Sequence, residues 1–413
     1  MEYENQPMQK RSRIAIIVLA LVLSLGQSAV ANPVKVPTQK YLMSFNVCPQ
    51  TVADCNNPQN HYVLLAQSDD GTTWKLLEGW APAKGSVPDV FRRGDTLYLY
   101  DTQGLTKINM STGDLTKTRA TITSGEGFVD PSLAQLPDGR LILFYLPGMR
   151  GGDPAQCPQG QATCEKMIKS AVEVAGSDGA SFVEDPGMRV SATLNSSAED
   201  RVFSDPDIFF NGTDWVLYVS RGRGTEAYTS KDLQGSYSNK INLTNGKGGV
   251  PSGILDKTSS KVWTFTHVNL AGQQVIRKSV SEKGLSGASA DSDYQTIIAA
   301  DFVSALGYKI VGSPGVALNE PGIECVTCNP KPTPSPTPTP VATPSPMPTP
   351  VATPTGSPSP TATANASATA TASPTSSPAA ISTKKVTITC VKGKQTKKVS
   401  GTNPKCPQGF KRK

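Results

Sequence analysis

The chain has 413 residues, 37% of them hydrophobic, with 36 glycines, 34 prolines and a formal net charge of +7. Such a length can bury at least one large core. Nine lysines and one arginine without any acidic residue fall between Ile381 and Lys413, more than the whole excess. The remainder is mildly acidic, which excludes a general polyanion binder and leaves no basis for a nucleic-acid partner.

Residues 1–31 read as a secretory signal peptide. Lys10-Arg11-Ser12-Arg13 give a basic start, Ile14–Leu25 an apolar core and Ser28-Ala29-Val30-Ala31 a small-residue end, with cleavage expected after Ala31. The apolar run covers only about 18 Å of helix against a hydrocarbon core of ~30 Å, so an uncleaved anchor is the lesser reading. No later segment is apolar enough to span a bilayer, and the expected location is extracellular or in the cell envelope. Cysteine usage agrees with export. Eight cysteines form four close pairs, Cys48/Cys55, Cys157/Cys164, Cys325/Cys328 and Cys390/Cys406, which read as disulfides. With one CxxC and only two histidines, His61 and His267, a zinc site is not expected.

Residues 32–328 are expected to form one all-β domain. Helical periodicity is scarce, and short runs rich in β-branched and aromatic residues recur: Thr96–Tyr100, Arg140–Tyr145, Asp214–Val219 and Lys261–Thr266. Each follows a proline-containing strand by one turn: Val87-Pro88-Asp89-Val90-Phe91, Val129-Asp130-Pro131-Ser132-Leu133, Ser204-Asp205-Pro206-Asp207-Ile208 and Val250-Pro251-Ser252-Gly253-Ile254. Arg93-Gly94-Asp95, Pro137-Asp138-Gly139, Asn211-Gly212 and Asp256-Lys257 supply the hairpin turns.

A fifth copy of the first strand stands alone at Gly312-Ser313-Pro314-Gly315-Val316. Its missing partner is at the other end. Tyr41–Asn46 leads into Cys48-Pro49-Gln50 and Cys55, as Leu141–Leu146 leads into Cys157-Pro158-Gln159 and Cys164. Tyr41 onward therefore matches a second strand, and its first strand is Gly312–Leu318. The pattern predicts a five-bladed β-propeller closed by pairing of its two ends. An irregular β-sandwich would explain the short strands but not the copies at both termini.

Residues 329–380 are almost entirely Pro, Thr, Ser and Ala, a disordered, semi-rigid spacer whose hydroxyls could carry O-glycans. Residues 381–413 form a small basic module, too short for a core and expected to be stapled by Cys390 and Cys406. Its lysines suit an anionic cell-wall polymer or membrane surface. It resembles a short basic module found at the end of secreted actinobacterial proteins.

The strands around Asp130 and Asp205 carry a second resemblance. Val-Asp130-Pro-Ser-Leu, with Leu-Pro-Asp-Gly-Arg-Leu-Ile-Leu-Phe-Tyr after it, and Ser-Asp205-Pro-Asp-Ile, with Asn-Gly-Thr-Asp-Trp-Val-Leu-Tyr, resemble the innermost strands of five-bladed glycosidase propellers. That superfamily includes family-43 arabinanases and xylosidases and family-32 fructan hydrolases. The strings Ser68-Asp-Asp-Gly-Thr-Thr-Trp74 and Ser177-Asp-Gly-Ala-Ser-Phe182 resemble the Asp boxes of sialidases in shortened form, and Tyr228–Tyr237 is similar to an outer-strand motif of the propellers.

The resemblance implies a polysaccharide or glycoconjugate substrate and carboxylates in a central channel: one Asp-Pro aspartate as general base, a second tuning the acid, and a glutamate as proton donor. Asp130 and Asp205 match the Asp-Pro positions. Asp89 and Asp207 sit one residue past their prolines, Asp89 as a further catalytic candidate and Asp207 as a substrate contact. Where the family's acid would stand, this chain has Val-Pro251-Ser-Gly, so Glu126 and Glu226 are the candidate acids from loops. Arg221 and Arg223 are candidate substrate contacts, since guanidinium suits carboxylate capture. His267 is another, in a family where a histidine can stand near a channel ion; no other cofactor is expected. A propeller that binds glycan or protein without cleaving it is the alternative reading.

Overall fold

The computed structural model describes residues 33–325, apart from 103, 124–126, 149–154, 159, 196–200, 245, 284 and 286–290, together with 386–392, 395–401, 406 and 410–412. The chain divides into two compact units, Met1–Thr337 and Pro338–Lys413.

The first unit is a five-bladed β-propeller. Blade 1 runs outward from Tyr308–Leu318 through Tyr41–Pro49 and Tyr62–Ser68 to Lys75–Leu76, with Ala83–Lys84 also against Tyr62–Ser68. Blade 2 is Asp89–Arg93, Thr96–Asp101, Gly104–Asn109 and Leu115–Thr118. Blade 3 is Gly127–Gln135, Leu141–Gly148, Thr163–Glu173 and Ser181–Glu184; Thr121–Ile122 pairs with its outermost strand and Val190–Asn195 with its third. Blade 4 is Ser204–Phe210, Trp215–Ser220, Thr225–Ser230 and Ser238–Asn242. Blade 5 is Gly249–Asp256, Lys261–Leu270, Gln273–Ser281 and Tyr294–Ile298.

The ring closes where the repeat places the closure. Tyr308–Leu318 lies antiparallel to Tyr41–Pro49, with Leu42 opposite Ala317, Met43 opposite Val316 and Ser44 opposite Gly315. Second strands show why they read as unbroken apolar runs. Each lies in mid-blade with a neighbouring blade on either face, and Leu141 through Leu146 are all buried. The outermost strand Leu115–Thr118, facing water, is exposed at every position.

Apolar clusters fill the spaces between blades. One joins blades 1, 2 and 5, a second blades 3 and 4, a third blades 2 and 3, and a fourth blades 4 and 5. Disulfides Cys48–Cys55 and Cys157–Cys164 tie the loops between second and third strands of blades 1 and 3. Cys325 and Cys406 are also disulfide-bonded. Cys328 lies outside the described residues, and only the backbone of Cys390 is described. Both Ser/Asp strings form turns: Asp70 accepts from the backbone N–H of Thr72 and Thr73, each at 2.7 Å, and Ser177 Oγ donates to the Ser181 carbonyl. Trp80 is core, its indole N–H donating to the Val63 carbonyl at 3.0 Å.

The second unit contains one antiparallel sheet in which Val386–Lys392 lies between Gln395–Gly401 and Lys411–Arg412. The signal-peptide and linker segments, 1–31 and 329–380, lie outside the described residues.

Candidate functional site

Each inner strand has an Xaa-Pro step within it or just before it and runs from that step to its hairpin turn, so the five steps lie on the same side of the channel's hairpin end, toward the mouth at the other end. The residue before proline is left-handed in all five blades: φ is 46° at Val87, 52° at Asp130, 48° at Asp205, 45° at Val250 and 49° at Ser313. Register shifts fall at the same steps, between Val129 and Ser132, Ser204 and Asp207, and Gly249 and Ser252, and between Ser44 and Asn46 on the strand beside Ser313. These four steps are β-bulges. A bulge leaves one residue out of the ladder and re-aims the side chains after it. Aspartate tolerates the left-handed region; valine enters it under strain.

The bulges position a septum across the channel. In four blades the residue after the proline accepts a hydrogen bond from the next blade's inner strand, one residue further on. Asp89 Oδ2 accepts from Leu133 N–H (2.8 Å), Ser132 Oγ from Ile208 N–H (3.1 Å), Asp207 Oδ2 from Gly253 N–H (2.8 Å) and Ser252 Oγ from Val316 N–H (2.9 Å). At the fifth position, Gly315, a Cβ would stand 2.5 Å from the Pro88 carbonyl, so no side chain fits. Ser44 staples that junction instead, its hydroxyl near the carbonyls of Pro88 (3.2 Å) and Gly315 (3.3 Å).

Asp89 and Asp207 are thus buried septum groups. Burial pushes the Asp89 carboxyl above the ordinary carboxylate range, against the Leu133 and Val90 N–H groups and the Ser132 hydroxyl, which pull it down. Burial likewise raises Asp207, and the Asp89 charge raises it further. Sequence reasoning missed Ser44, Ser132 and Ser252 as members of this ring. The available signal for Ser132 and Ser252 was the recurrence of Asp or Ser after four of the five prolines.

On the mouth side of the septum, Asp130 and Asp205 come together from adjacent blades. The Asp205 backbone N–H donates to Asp130 Oδ2 at 3.3 Å, and Ser204 Oγ donates to Asp205 Oδ2 at 2.6 Å. Arg221 and Arg223 lie in the loop after the second strand of blade 4, at this same end. Gly248 N–H donates to the Arg223 carbonyl at 3.0 Å, which docks the loop on blade 5. The Arg221 guanidinium stands over the Phe203 ring and 3.9 Å from Glu226, while Arg223 is exposed.

Glu226 is the second residue of the third strand of blade 4 and is already engaged. Tyr228 donates to its Oε2 at 2.6 Å, and Lys240 stands 3.1 Å from its Oε1. Burial, then the Glu226 contact, pushes the Tyr228 phenol up, which opposes a tyrosinate nucleophile here. Glu126 lies outside the described residues.

His267, also at the mouth, bonds Gln274 through a ring nitrogen and packs so close to Gly312 that a Cβ there would stand 2.9 Å from its Cε1. His61 contacts Ser86 Oγ at 2.7 Å and the Cys55 carbonyl at 2.9 Å. Burial lowers both imidazoles below the usual histidine range. Among the described residues, no group of three or more His, Cys, Asp or Glu side chains is placed to hold a metal ion.

No protein-family model matches the chain, and neither does any curated protein. Similar solved structures include a xylan β-1,4-xylosidase from Bacillus halodurans, at 13% identity and a TM-score of 0.39, over 63% of this chain and 57% of that one. A family-43 endo-arabinanase from Bacillus licheniformis is similar at 14% identity and 0.36, over 57% and 80%. A β-fructofuranosidase from Schwanniomyces occidentalis is similar at 16% and 0.36, over 66% and 51%. This chain therefore spans little more than half of the xylosidase and the fructofuranosidase.

Proposed function

We propose that the protein is an exported, glycan-active propeller that works at the mouth of its channel, with Asp130 and Asp205 as the operative carboxylates. The observation that carries this reading is the contact between adjacent blades in which the Asp205 backbone N–H donates to Asp130 Oδ2. Cleaving a glycosidic bond needs one carboxyl to deprotonate water or attack, and another group to protonate the leaving oxygen. Asp130 is assigned the base and Asp205 the tuning role. With Glu226 held by Tyr228 and Lys240, Glu126, four residues before Asp130, is the acid of this reading. The engagement of Glu226 also favours a second reading, in which the mouth binds glycan without cleaving it.

The two readings separate on one preparation of purified chain, assayed for hydrolysis and for binding of arabinan, xylan, fructan and sialosides. Under hydrolysis, Asp130→Asn and Glu126→Gln each lower turnover on the accepted glycan by about a hundredfold or more, the share general acid–base catalysis supplies. Unchanged turnover in Asp130→Asn removes Asp130 from the mechanism. Binding by the wild type with no turnover on any substrate establishes the second reading.

The basic module is assigned to retention on anionic envelope polymers. Deleting 381–413 is expected to release the protein into the medium at low ionic strength, where charge attraction is least screened. Equal retention of the truncated and full chains on fractionated cells would sink that assignment.

A further inference from the structure

The channel has a second end that the glycan reading does not use. Between the septum and the hairpin turns lies a cavity of about 810 Å³. That volume falls within the range of small-molecule sites, about 300–1,000 Å³. Its wall is mostly apolar, including Phe91, Ile208, Phe209, Ile254, Val316 and Leu318, and Asp89, Ser132 and Asp207 form its floor.

The floor decides the chemistry of the occupant. Two carboxyls stand at the blind end of an apolar cavity, Asp89 bonded to the Leu133 and Val90 N–H groups and the Ser132 hydroxyl, Asp207 to the Gly253 N–H and the Ser252 hydroxyl, with no cationic side chain among the described residues on either. The cations at the rim are engaged elsewhere: Lys231 with Asp214 at 2.7 Å, Lys257 with Glu320, and Arg92 with Asn319 at 2.8 Å. No side-chain cation is therefore set against the two carboxyls, and a cationic ligand would supply the charge that lets them ionise. A primary ammonium complements them, presenting three N–H donors and a compact positive charge.

We propose that this cavity binds a small molecule with an apolar body and a primary ammonium head, the head lying against Asp89 and Asp207. This site is separate from the mouth, and its test requires no glycan activity. The full chain is titrated calorimetrically with n-octylammonium, and in parallel with octan-1-ol and octanoate, all below their aggregation limits. The expected result is stoichiometric binding of octylammonium, at least about tenfold weaker binding of octanol, and weaker binding still of octanoate. A tenfold loss is what removal of one charge-assisted hydrogen bond brings.

Asp207→Asn keeps the acceptor for Gly253 and removes a carboxyl that can ionise against the ammonium; it lowers octylammonium affinity about tenfold or more on the same grounds. Ala317→Phe, which fills the cavity from its wall, abolishes binding while circular dichroism and the melting transition report an intact propeller. Equal affinity for octanol and octylammonium, undiminished binding in either variant, or no octylammonium binding to the wild type overturns the proposal.

Discussion

The five left-handed residues before proline are not chemically equivalent. Asp130, Asp205 and Ser313 carry short polar side chains, which bond locally and ease that conformation, whereas Val87 and Val250 are β-branched. A left-handed L-residue costs about 1–2 kcal/mol, and asparagine recovers part of it. Val87→Asn and Val250→Asn are each expected to raise the unfolding free energy by about 0.5–1 kcal/mol. Asp205→Val is expected to lower it, since it adds the strain and removes the acceptor for Ser204. Chemical denaturation of the three variants checks this; destabilisation by both valine replacements contradicts it. The positions of these steps were legible, because proline marks every one. Their handedness was not, since proline disfavours the right-handed helical region in its predecessor without dictating a positive φ.

At the scale of the strands, the septum makes blade junctions respond to pH. Asp89 and Asp207 have raised carboxyl pKa values in the fold, so the folded chain holds protons that the unfolded chain releases. Their contribution to stability is present below the ordinary carboxylate range, about 4, and is lost as pH rises through the raised folded values. The groups facing them are the Ser132 and Ser252 hydroxyls and the N–H groups of Leu133, Val90 and Gly253. His61 and His267 act in the opposite sense. Their lowered pKa values cost stability as pH falls below the unfolded histidine range, about 6.5.

Comparing wild type with Asp89→Asn/Asp207→Asn isolates the carboxyl part. The double variant is expected to lose less stability than wild type between about pH 4 and 7, from the ordinary carboxylate value up to the raised value of Asp89, about 7. Parallel curves across that interval would refute the septum's role. The ring was hidden in the sequence for a definite reason. Its four bonds join residues 44, 76, 46 and 64 positions apart, and only the registration of one blade on the next brings them together.

For the whole molecule, the decisive contact is between its ends. Tyr308–Leu318 supplies the inner strand of blade 1, and Val316 N–H satisfies Ser252 of blade 5. Without that strand, blade 1 loses its channel edge and the ring is left open. A chain ending at Gly307 is expected to lose cooperative unfolding, and a synthetic peptide of 308–318 added in trans is expected to restore it. A chain ending at Thr337 should retain the full chain's transition, because the basic module belongs to the other compact unit. Cooperative unfolding of the shorter chain at an unchanged midpoint would mean the ring does not depend on its closure.

What the sequence determined by itself was everything periodic: strand after strand of apolar runs bounded by turns, five Xaa-Pro steps, and the displaced copy at the C-terminal end that demands closure. Paired cysteines seven residues apart belonged to the same local grammar and formed the bridges at Cys48–Cys55 and Cys157–Cys164. The tertiary structure alone decided what each carboxylate faces. It brought Asp130 to Asp205, withdrew Asp89 and Asp207 into the septum, bound Glu226 to Tyr228 and Lys240, and left an apolar cavity beyond the septum. The reason is physical. A strand's own pattern sets which way its side chains alternate, but what each faces is set by the neighbouring blade, and the angle between blades is fixed only by packing of the cores between them.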